Sequence, residues 1–436
     1  MRILILSQFF APEPTFKGLP FARELVRRGH EVEVLTGFPN YPGGRLYPGY
    51  SVRPWQRETI DGIRVHRVPL YPSHDQSALR RVANYASFAL SAAALGPCLI
   101  KKPDVIYAYQ PPATVGLPAL VLQAMCRCPV VYDIQDLWPD TVASSQMMKN
   151  RRLLAVLARW CRGVYRRMDR IVVLSPGMRE TLIARGVAAE KIDVIYNWAD
   201  EDSLCRQPIG DASESPATRA MAGRFNVVFA GTMGLVQSLD TVLDAASICL
   251  RTVPDAQFVF VGGGVDKPRL EQRARELRLR NTLFLPRQPI EAMGPILSLA
   301  GAALVHLKDD PLFRITIPSK TQAYLAAGRP ILMAVGGDAA DLVAQSGGGV
   351  TCPPQNPLAM AEAVRRLSSI GLQQREAMGA RGQAFYDAQL SLRTGVAKFE
   401  QAFEAALGAR KARSSVSFAV QPKIHPAAEG QPRRAA

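Results

Sequence analysis

The sequence predicts an α/β chain of two parallel-sheet domains in series, and three observations carry that expectation. Short apolar runs alternate with stretches whose apolar residues recur at helical spacing, from the first residues onward. The alternation breaks once, over residues 206–224, and then restarts. A length of 436 residues at 48% hydrophobic and 21% charged is enough for two cores of ordinary size.

In the first half, RILILS reads as a strand, FARELVRRGH as a helix through Phe21, Leu25 and Val26 stopped by Gly29, and EVEVLT as the next strand. The pattern continues through IRVHRVPL, an apolar helix over residues 85–100, DVIYAY, a helix over 115–125, PVVYDIQD and RIVVLS. Strands separated by helices imply a parallel sheet covered on both faces. The segment RQPIGDASESPATRAMAGR loses periodicity and gathers Pro, Gly, Ser and Ala, as an interdomain linker would. Beyond it come FNVVFAGTM, a helix over 238–252, AQFVFVGGG, a helix over 269–277, TLFLPRQ, AALVHLK, a helix from Ser319, and PILMAV. The domains are therefore expected at 1–205 and 225–385. Residues 408–436 form a polar, basic, Pro-containing tail expected to be disordered.

Seven cysteines lie among apolar neighbours without a Cys-x-x-Cys pair, which fits reduced thiols and a cytosolic setting; Cys126 and Cys128, one residue apart, make a poor zinc site. MRILILSQFF lacks the longer apolar core of a signal peptide and reads as a first strand. A formal charge of +16 attracts polyanions: nucleic acid, anionic lipid or phosphorylated substrates. No recognised nucleic-acid module or aromatic-basic platform accompanies the charge, so nucleic acid is not expected as a partner.

Ligands of open α/β sheets bind outside the carboxyl ends of the strands, so the turns there are the places to search. The loop from Ser7 to Gly18 lets backbone approach a phosphate at a helix N-terminus, or is a plain connection; it lacks G-x-G-x-x-G and does not support a nicotinamide site. In QDLWPDT, Asp136, Trp138 and Asp140 follow a strand, where Asp140 also suits a helix cap and Trp138 a core. AGTMG, with Gly231 and Thr232, and VGGG, with Gly262 and Gly263, allow a nucleotide to lie on backbone N–H groups, though tight turns use the same residues. In PSKTQAYLAAGRPIL, Pro318, Ser319 and Lys320 stand at a helix head where unpaired N–H groups and the dipole favour a diphosphate; a capped helix with a solvated lysine reads the same way.

Residues 149–170 set eight cations and one carboxylate among Leu153, Leu154, Val156, Leu157, Trp160, Val164 and Tyr165. This is the pattern of an interfacial amphipathic helix, or of a packed helix with a basic outer face. The apolar run YASFALSAAALGPCLI contains Gly96 and Pro97 and is short for a span, so a core or interfacial place is expected.

Taken in order, these stretches resemble a family 4 glycosyltransferase of the GT-B fold, from the subgroup building bacterial capsule, colanic-acid and O-antigen polysaccharides. LPFARELVRRGHEVEVLTGFPNYPGG, QDLWPD, FAGTMGLVQSLDTVLDAA, FVFVGGG and above all PSKTQAYLAAGRPIL carry the resemblance, which covers the chain to about Leu407. It implies two Rossmann-like parallel-sheet domains facing across a cleft, the first holding the acceptor and the second a nucleoside-diphosphate-sugar, with a helix over 386–407 crossing back to the first. It further implies retention of anomeric configuration, a front-face displacement, no cofactor and no metal, the donor being a substrate. A lipid-linked saccharide acceptor and a peripheral place on the anionic inner face of the cytoplasmic membrane are implied as well.

The chain departs from that family's pattern. Two glutamates common around the donor loop fall on Ile315 and Ala323, and the frequent Arg and Lys of the first donor turn fall on Thr232 and Gln237. Lys320, with Arg314 second, is then expected to carry the diphosphate charge, Arg287 to touch base or phosphate, and Asp136 to orient or deprotonate the acceptor or stabilise an oxocarbenium-like centre. A non-catalytic binding or scaffold protein of this fold, and a nucleotide-sugar 2-epimerase, are the alternatives; the epimerase histidine and glutamate constellation is not recognisable.

Overall fold

The computed structural model describes residues 1–15, 17–73, 77–144, 150–201, 215–289 and 292–419. Fourteen strands form two sheets. The first sheet holds β1 (Arg2–Ser7), β2 (Glu31–Gly37), β3 (Gln56–Ile60), β4 (Ile63–Val68), β5 (Val105–Gln110), β6 (Val130–Ile134), β7 (Arg170–Val173) and β8 (Ile192–Val194). The second holds β9 (Phe225–Ala230), β10 (Ala256–Val261), β11 (Thr282–Leu285), β12 (Ala300–His306), β13 (Ile331–Ala334) and β14 (Gly349–Thr351). Their orders are β3-β4-β2-β1-β5-β6-β7-β8 and β11-β10-β9-β12-β13-β14. Central strands such as β5 and β10 are buried at every position, which is why they read as unbroken apolar runs rather than alternating ones.

The first sheet is not wholly parallel. β3 pairs antiparallel with β4 through a two-residue turn, Asp61 and Gly62, both at positive φ (51° and 78°). An Asp-Gly pair suits the mirror-image turn that matches strand twist, so ETIDGIRV announced a hairpin that the helix-and-strand alternation obscured. The short edge strands β8 and β14 also carried too few residues for a periodic signal.

Two further expectations are corrected. Residues 206–224 are not uniformly irregular: 202–214 lie outside the described residues, but Pro216–Met221 is a helix capped by the Ser215 side chain. The basic tail does not begin disordered at residue 408, because one helix runs Leu392–Ala419; residues 420–436 lie outside the described part. The helix Leu372–Gln389 packs on the second domain through Tyr386, and the chain crosses back at Leu390–Ser391, a few residues later than 386.

The two crossings are tied by one carboxylate. Glu201 accepts from the Tyr386 hydroxyl and the Leu392 N–H, each at 2.7 Å, while the Tyr386 oxygen accepts from the Ala199 N–H at 3.0 Å. Past the crossing, Val396, Phe399 and Phe403 bury themselves against Phe21, Tyr107 and Trp198 of the first domain. Lys17, wholly buried, points at the Phe399 ring from 4.8 Å and pairs with Asp133 at 2.8 Å; Tyr107 donates to the same carboxylate at 2.6 Å. The C-terminal helix is thus part of the first core. Phe399→Ala is expected to lower unfolding free energy by about 3–5 kcal/mol, measured by denaturant titration of the full chain.

Candidate active site

The carboxyl ends of β9, β10 and β11 enclose a cleft of about 760 Å³ lined by Ala230, Gly231, Thr232, Gly262, Gly263, Arg287 and Gln288 among others. Its floor is backbone laid on backbone. A Cβ on Gly262 would stand 2.1 Å from the Gly231 carbonyl oxygen, and one on Gly264 2.1 Å from that of Met233; both glycines are at positive φ. Gly231 N–H donates to Val261 at 2.9 Å and Met233 N–H to Gly263 at 2.8 Å, so the two turns continue the ladder past the ends of their strands. Only glycine permits that approach. Gly263 has open space where a Cβ would be, facing away from these contacts.

Behind the Gly231 turn stands Lys320. Its helix, Ser319–Ala326, is keyed to β9 one turn further on, where the Tyr324 hydroxyl oxygen accepts from the Ala230 N–H at 3.0 Å. Residues four apart share a helix face, so this bond aims Lys320 at the same strand end. Its Nζ would lie 3.3 Å from a Cβ on Gly231 and sits 3.7 Å from the centroid of the Phe229 ring. Among the described residues no carboxylate lies within ion-pair distance of it. The ring face favours the charged form, but burial dominates and pushes the ammonium from 10.5 down to about 7. A cation held without a counterion beside unpaired helix N–H groups is a place for an anion.

Neighbouring polar groups shape the turn instead of filling the cleft. Gln237, where a cation was expected from the resemblance, accepts from Gly234 N–H at 3.0 Å through its side chain. Its carbonyl lies 2.6 Å from Nδ1 of buried His306, whose Nε2 accepts from Gln355 N–H at 3.2 Å. Those partners place the ring proton on Nδ1, and burial lowers the His306 pKa, keeping it neutral. Lys267 spends its ammonium on the Gly262 and Leu285 carbonyls at 3.2 and 3.1 Å.

Across from this domain, Asp136 follows β6 in the first. Its main chain is pinned by Gln110, which donates to the Asp136 carbonyl at 3.1 Å, while burial pushes its carboxyl pKa up. Tyr85 packs on Trp138, rings 6.3 Å apart, on the same rim. Asp140 forms an ion pair with Arg185 at 2.8 Å. The loop after β1 is organised by buried Glu13, which accepts from the N–H groups of Phe10, Asn40 and Tyr41 at 3.1, 2.7 and 2.8 Å; burial still outweighs these bonds and lifts its carboxyl to about 7.

The structure brings Gly231, Thr232, Gly262, Gly263 and Arg287 together around one cleft, with Lys320 immediately behind it. Pro318 supplies the extended residue before the helix, and Ser319 is its first, exposed residue. Gly18 is not in that cleft: it opens the helix Leu19–Arg27 in the first domain, where a Cβ would meet Thr15 Oγ1 at 2.0 Å. Arg314 is exposed and pairs with Asp309 at 2.9 Å, away from the cleft lining. Tyr324, His306, Lys17 and Glu13 escaped the sequence reading. Tyr324 sat inside the very motif that was singled out, but only its fourth-residue spacing from Lys320 hinted at a role.

A second cavity, of about 1040 Å³, opens at the amino ends of β9, β10, β12 and β13. There Arg329 donates to the Ser298 carbonyl at 3.1 Å and Arg375 to that of Leu367 at 3.2 Å. These cations satisfy helix C-termini, whose partial negative charge disfavours an anion.

Because an anion favours protonated Lys320 and the free ammonium titrates near 7, diphosphate binding takes up a proton at pH 8, and affinity falls as pH rises above 7. Calorimetry in two buffers of different ionisation heat is expected to show that uptake in the wild type and none in Lys320→Met, with affinity for uridine or guanosine diphosphate weakened roughly 10- to 100-fold.

Comparison with known proteins bears on the family. Residues 19–198 match the glycosyl transferase 4-like domain, and residues 224–369 match the glycosyl transferases group 1 domain. The chain is 29% identical over 341 residues to the putative colanic acid biosynthesis glycosyl transferase WcaI of Escherichia coli (strain K12), covering 75% of this chain and 82% of that one. It is 24% identical over 277 residues to the probable glycosyltransferase WbjE of Pseudomonas aeruginosa, covering 62% and 68%. Among solved structures, Anabaena Alr3699/HepE in complex with UDP-glucose superposes with a TM-score of 0.67 at 17% identity, over 93% of this chain and 100% of that one. Trehalose 6-phosphate synthase from Burkholderia multivorans gives 0.69 at 14% identity, over 97% and 99%. The two matched domains, the GT-B architecture and the glycine-lined cleft agree: the chain belongs to the family 4 glycosyltransferases of the GT-B fold.

Proposed function

We propose that the protein moves a sugar from a nucleoside-diphosphate-sugar, seated in the cleft of the second domain, to a lipid-linked saccharide held by the first, in the assembly of an exported polysaccharide. The observation that carries this reading is the counterion-free Lys320 at a helix head, abutting the backbone of a glycine-lined cleft. The printed names of WcaI and of the HepE complexes, which speak of colanic acid and of UDP and glucose, support the reaction class and the donor class.

The chemistry follows from the charges. As the bond from the sugar's anomeric carbon to the diphosphate oxygen breaks, negative charge grows on the leaving phosphate, next to Lys320 and the N–H groups of Ser319 and Lys320. That stabilisation stands in for a metal ion. In a displacement on one face, the acceptor oxygen bonds to the anomeric carbon from the side the phosphate leaves, its proton passes to the leaving phosphate oxygen, and configuration is retained. Asp136, its carboxyl pKa raised by burial, orients the acceptor hydroxyl.

The membrane reading rests on three helices layered on one face of the first sheet. The helix Ala78–Leu99 packs on Gly116–Cys126, which packs on Arg151–Arg167. The outer helices expose Leu79, Val82, Leu153 and Val156 beside arginines. Their inner faces are core: Phe88 and Ala92 on one, Cys161, Val164 and Tyr165 on the other. Helix Leu79–Leu99 is long and apolar enough to span a membrane, yet it carries this packed face, so we read it as lying on the inner leaflet. Lys149 lies outside the described residues.

A screen of UDP- and GDP-sugars against lipid-extracted acceptors, run in EDTA, is expected to yield one product with retained configuration by NMR. Asp136→Asn should lower kcat by about 10²-fold with donor affinity kept. Absence of binding to every donor would favour the non-catalytic alternative. Val156→Glu is expected to reduce binding to phosphatidylglycerol-containing vesicles while turnover on a water-soluble acceptor analogue is kept; unchanged vesicle binding would remove the docking face.

A further inference from the structure

Away from the crossings, the two domains also touch at a small constellation between the helix after β7 and the second domain. After β7, Ser175 caps the helix Pro176–Ala184, and its hydroxyl also donates to the Ile315 carbonyl of the second domain at 2.6 Å. Gly177 N–H donates to Asp338 Oδ2 at 2.7 Å, and Asp338 is the first residue of the helix Asp338–Ser346. Two helix N-termini, each carrying partial positive charge, thus face one another with a single carboxylate between them. There is no slack. A Cβ on Gly177 would fall 2.4 Å from Ile315 Cγ2 and 2.8 Å from Asp338 Oδ2. Leu312 and Ile315 pack against the apolar core of the first domain, and their short helix Pro311–Arg314 lies against Asp140–Ser144.

This resolves what Ile315 does. At a position where the resemblance led to an expected glutamate, the side chain turns to the partner domain. Five residues later in the same unbroken segment comes Lys320, and Ile317 between them is buried in the second core. A carboxylate at position 315 would be pressed against Gly177 and the first domain's apolar wall, where its charge would lose solvation.

Resting on the glycosyl-transfer reading, we propose that Ser175, Gly177, Ile315 and Asp338 form a clasp that holds the acceptor domain closed over a donor domain already able to bind nucleotide. The four are positioning residues: none lines the donor cleft, and they act by fixing the first domain against the second. Closing the clasp joins the two halves of the site; opening it leaves a second domain that still binds nucleotide.

The test combines small-angle scattering, calorimetry with uridine and guanosine diphosphate, and transfer kinetics on the full chain and three variants. Asp338→Ala and Gly177→Val, made on opposite domains, are both expected to enlarge the radius of gyration and to lower kcat about tenfold. Diphosphate affinity should stay within about twofold, and Asp338→Asn, whose amide oxygen still accepts from Gly177, should behave as wild type. An unchanged radius of gyration in both disruptive variants would overturn the clasp, as would a loss of diphosphate affinity in step with kcat. If the wild type transfers no sugar, the functional reading fails while scattering still decides the clasp.

Discussion

Among the described residues Lys320 is a cation with no counterion, and the rest of the site is arranged to keep it so. Burying an ammonium is unfavourable unless something compensates, and here the Phe229 ring supplies a little while burial still drags its pKa toward neutrality. The cost is sustained by structure that cannot easily relax. Tyr324 bonds the helix to the last residue of β9, and glycines let the two turns stack backbone on backbone. On the proposed reading an arriving diphosphate would supply the missing charge, and binding energy would be concentrated on the group that becomes the leaving group. That is where stabilisation accelerates transfer rather than merely tightening the ground state.

The first domain shows the complementary strategy. Two of its buried cations are paired, Lys17 with Asp133 and Arg67 with Glu58, and Glu33 holds the buried His66 ring at 2.8 Å. Such pairs gain little net stability over apolar packing but fix geometry, since breaking one leaves a stranded charge. Lys17 locks the loop after β1 to β6 and to the returning C-terminal helix, and Glu13 locks the same loop to the turn after β2. The loop after β1 is thereby held on both sides, and at the two crossings between domains Glu201 and Tyr386 tie the two passages of chain together.

Much of this was legible in the residues, and the limits have physical causes. Buried parallel strands announce themselves as apolar runs, so the strands of both sheets could be read from stretches such as FNVVFA and VIYAYQ. The antiparallel β3 was missed because its alternating QRETI is half exposed and weakly apolar. In the site, glycine at strand ends and a cation at a helix head carried enough local chemistry to be found. Gly18 stands at the helix head where its place after the first strand put it, though outside the second domain's cleft, while the Asp309 partner of Arg314 did not show in spacing. Tyr324, His306 and the Gly177–Asp338 contact depend on partners 94, 69 and 161 residues away, which no local pattern encodes.

The central claim is that Lys320 waits uncompensated for a diphosphate. Its most direct test is the titration of the Lys320 side chain by NMR, in the free protein and with uridine or guanosine diphosphate bound. The account predicts a pKa near 7 in the free chain and a value well above that in the complex. An ordinary value close to 10.5 in the free protein, unmoved by nucleotide, would contradict it.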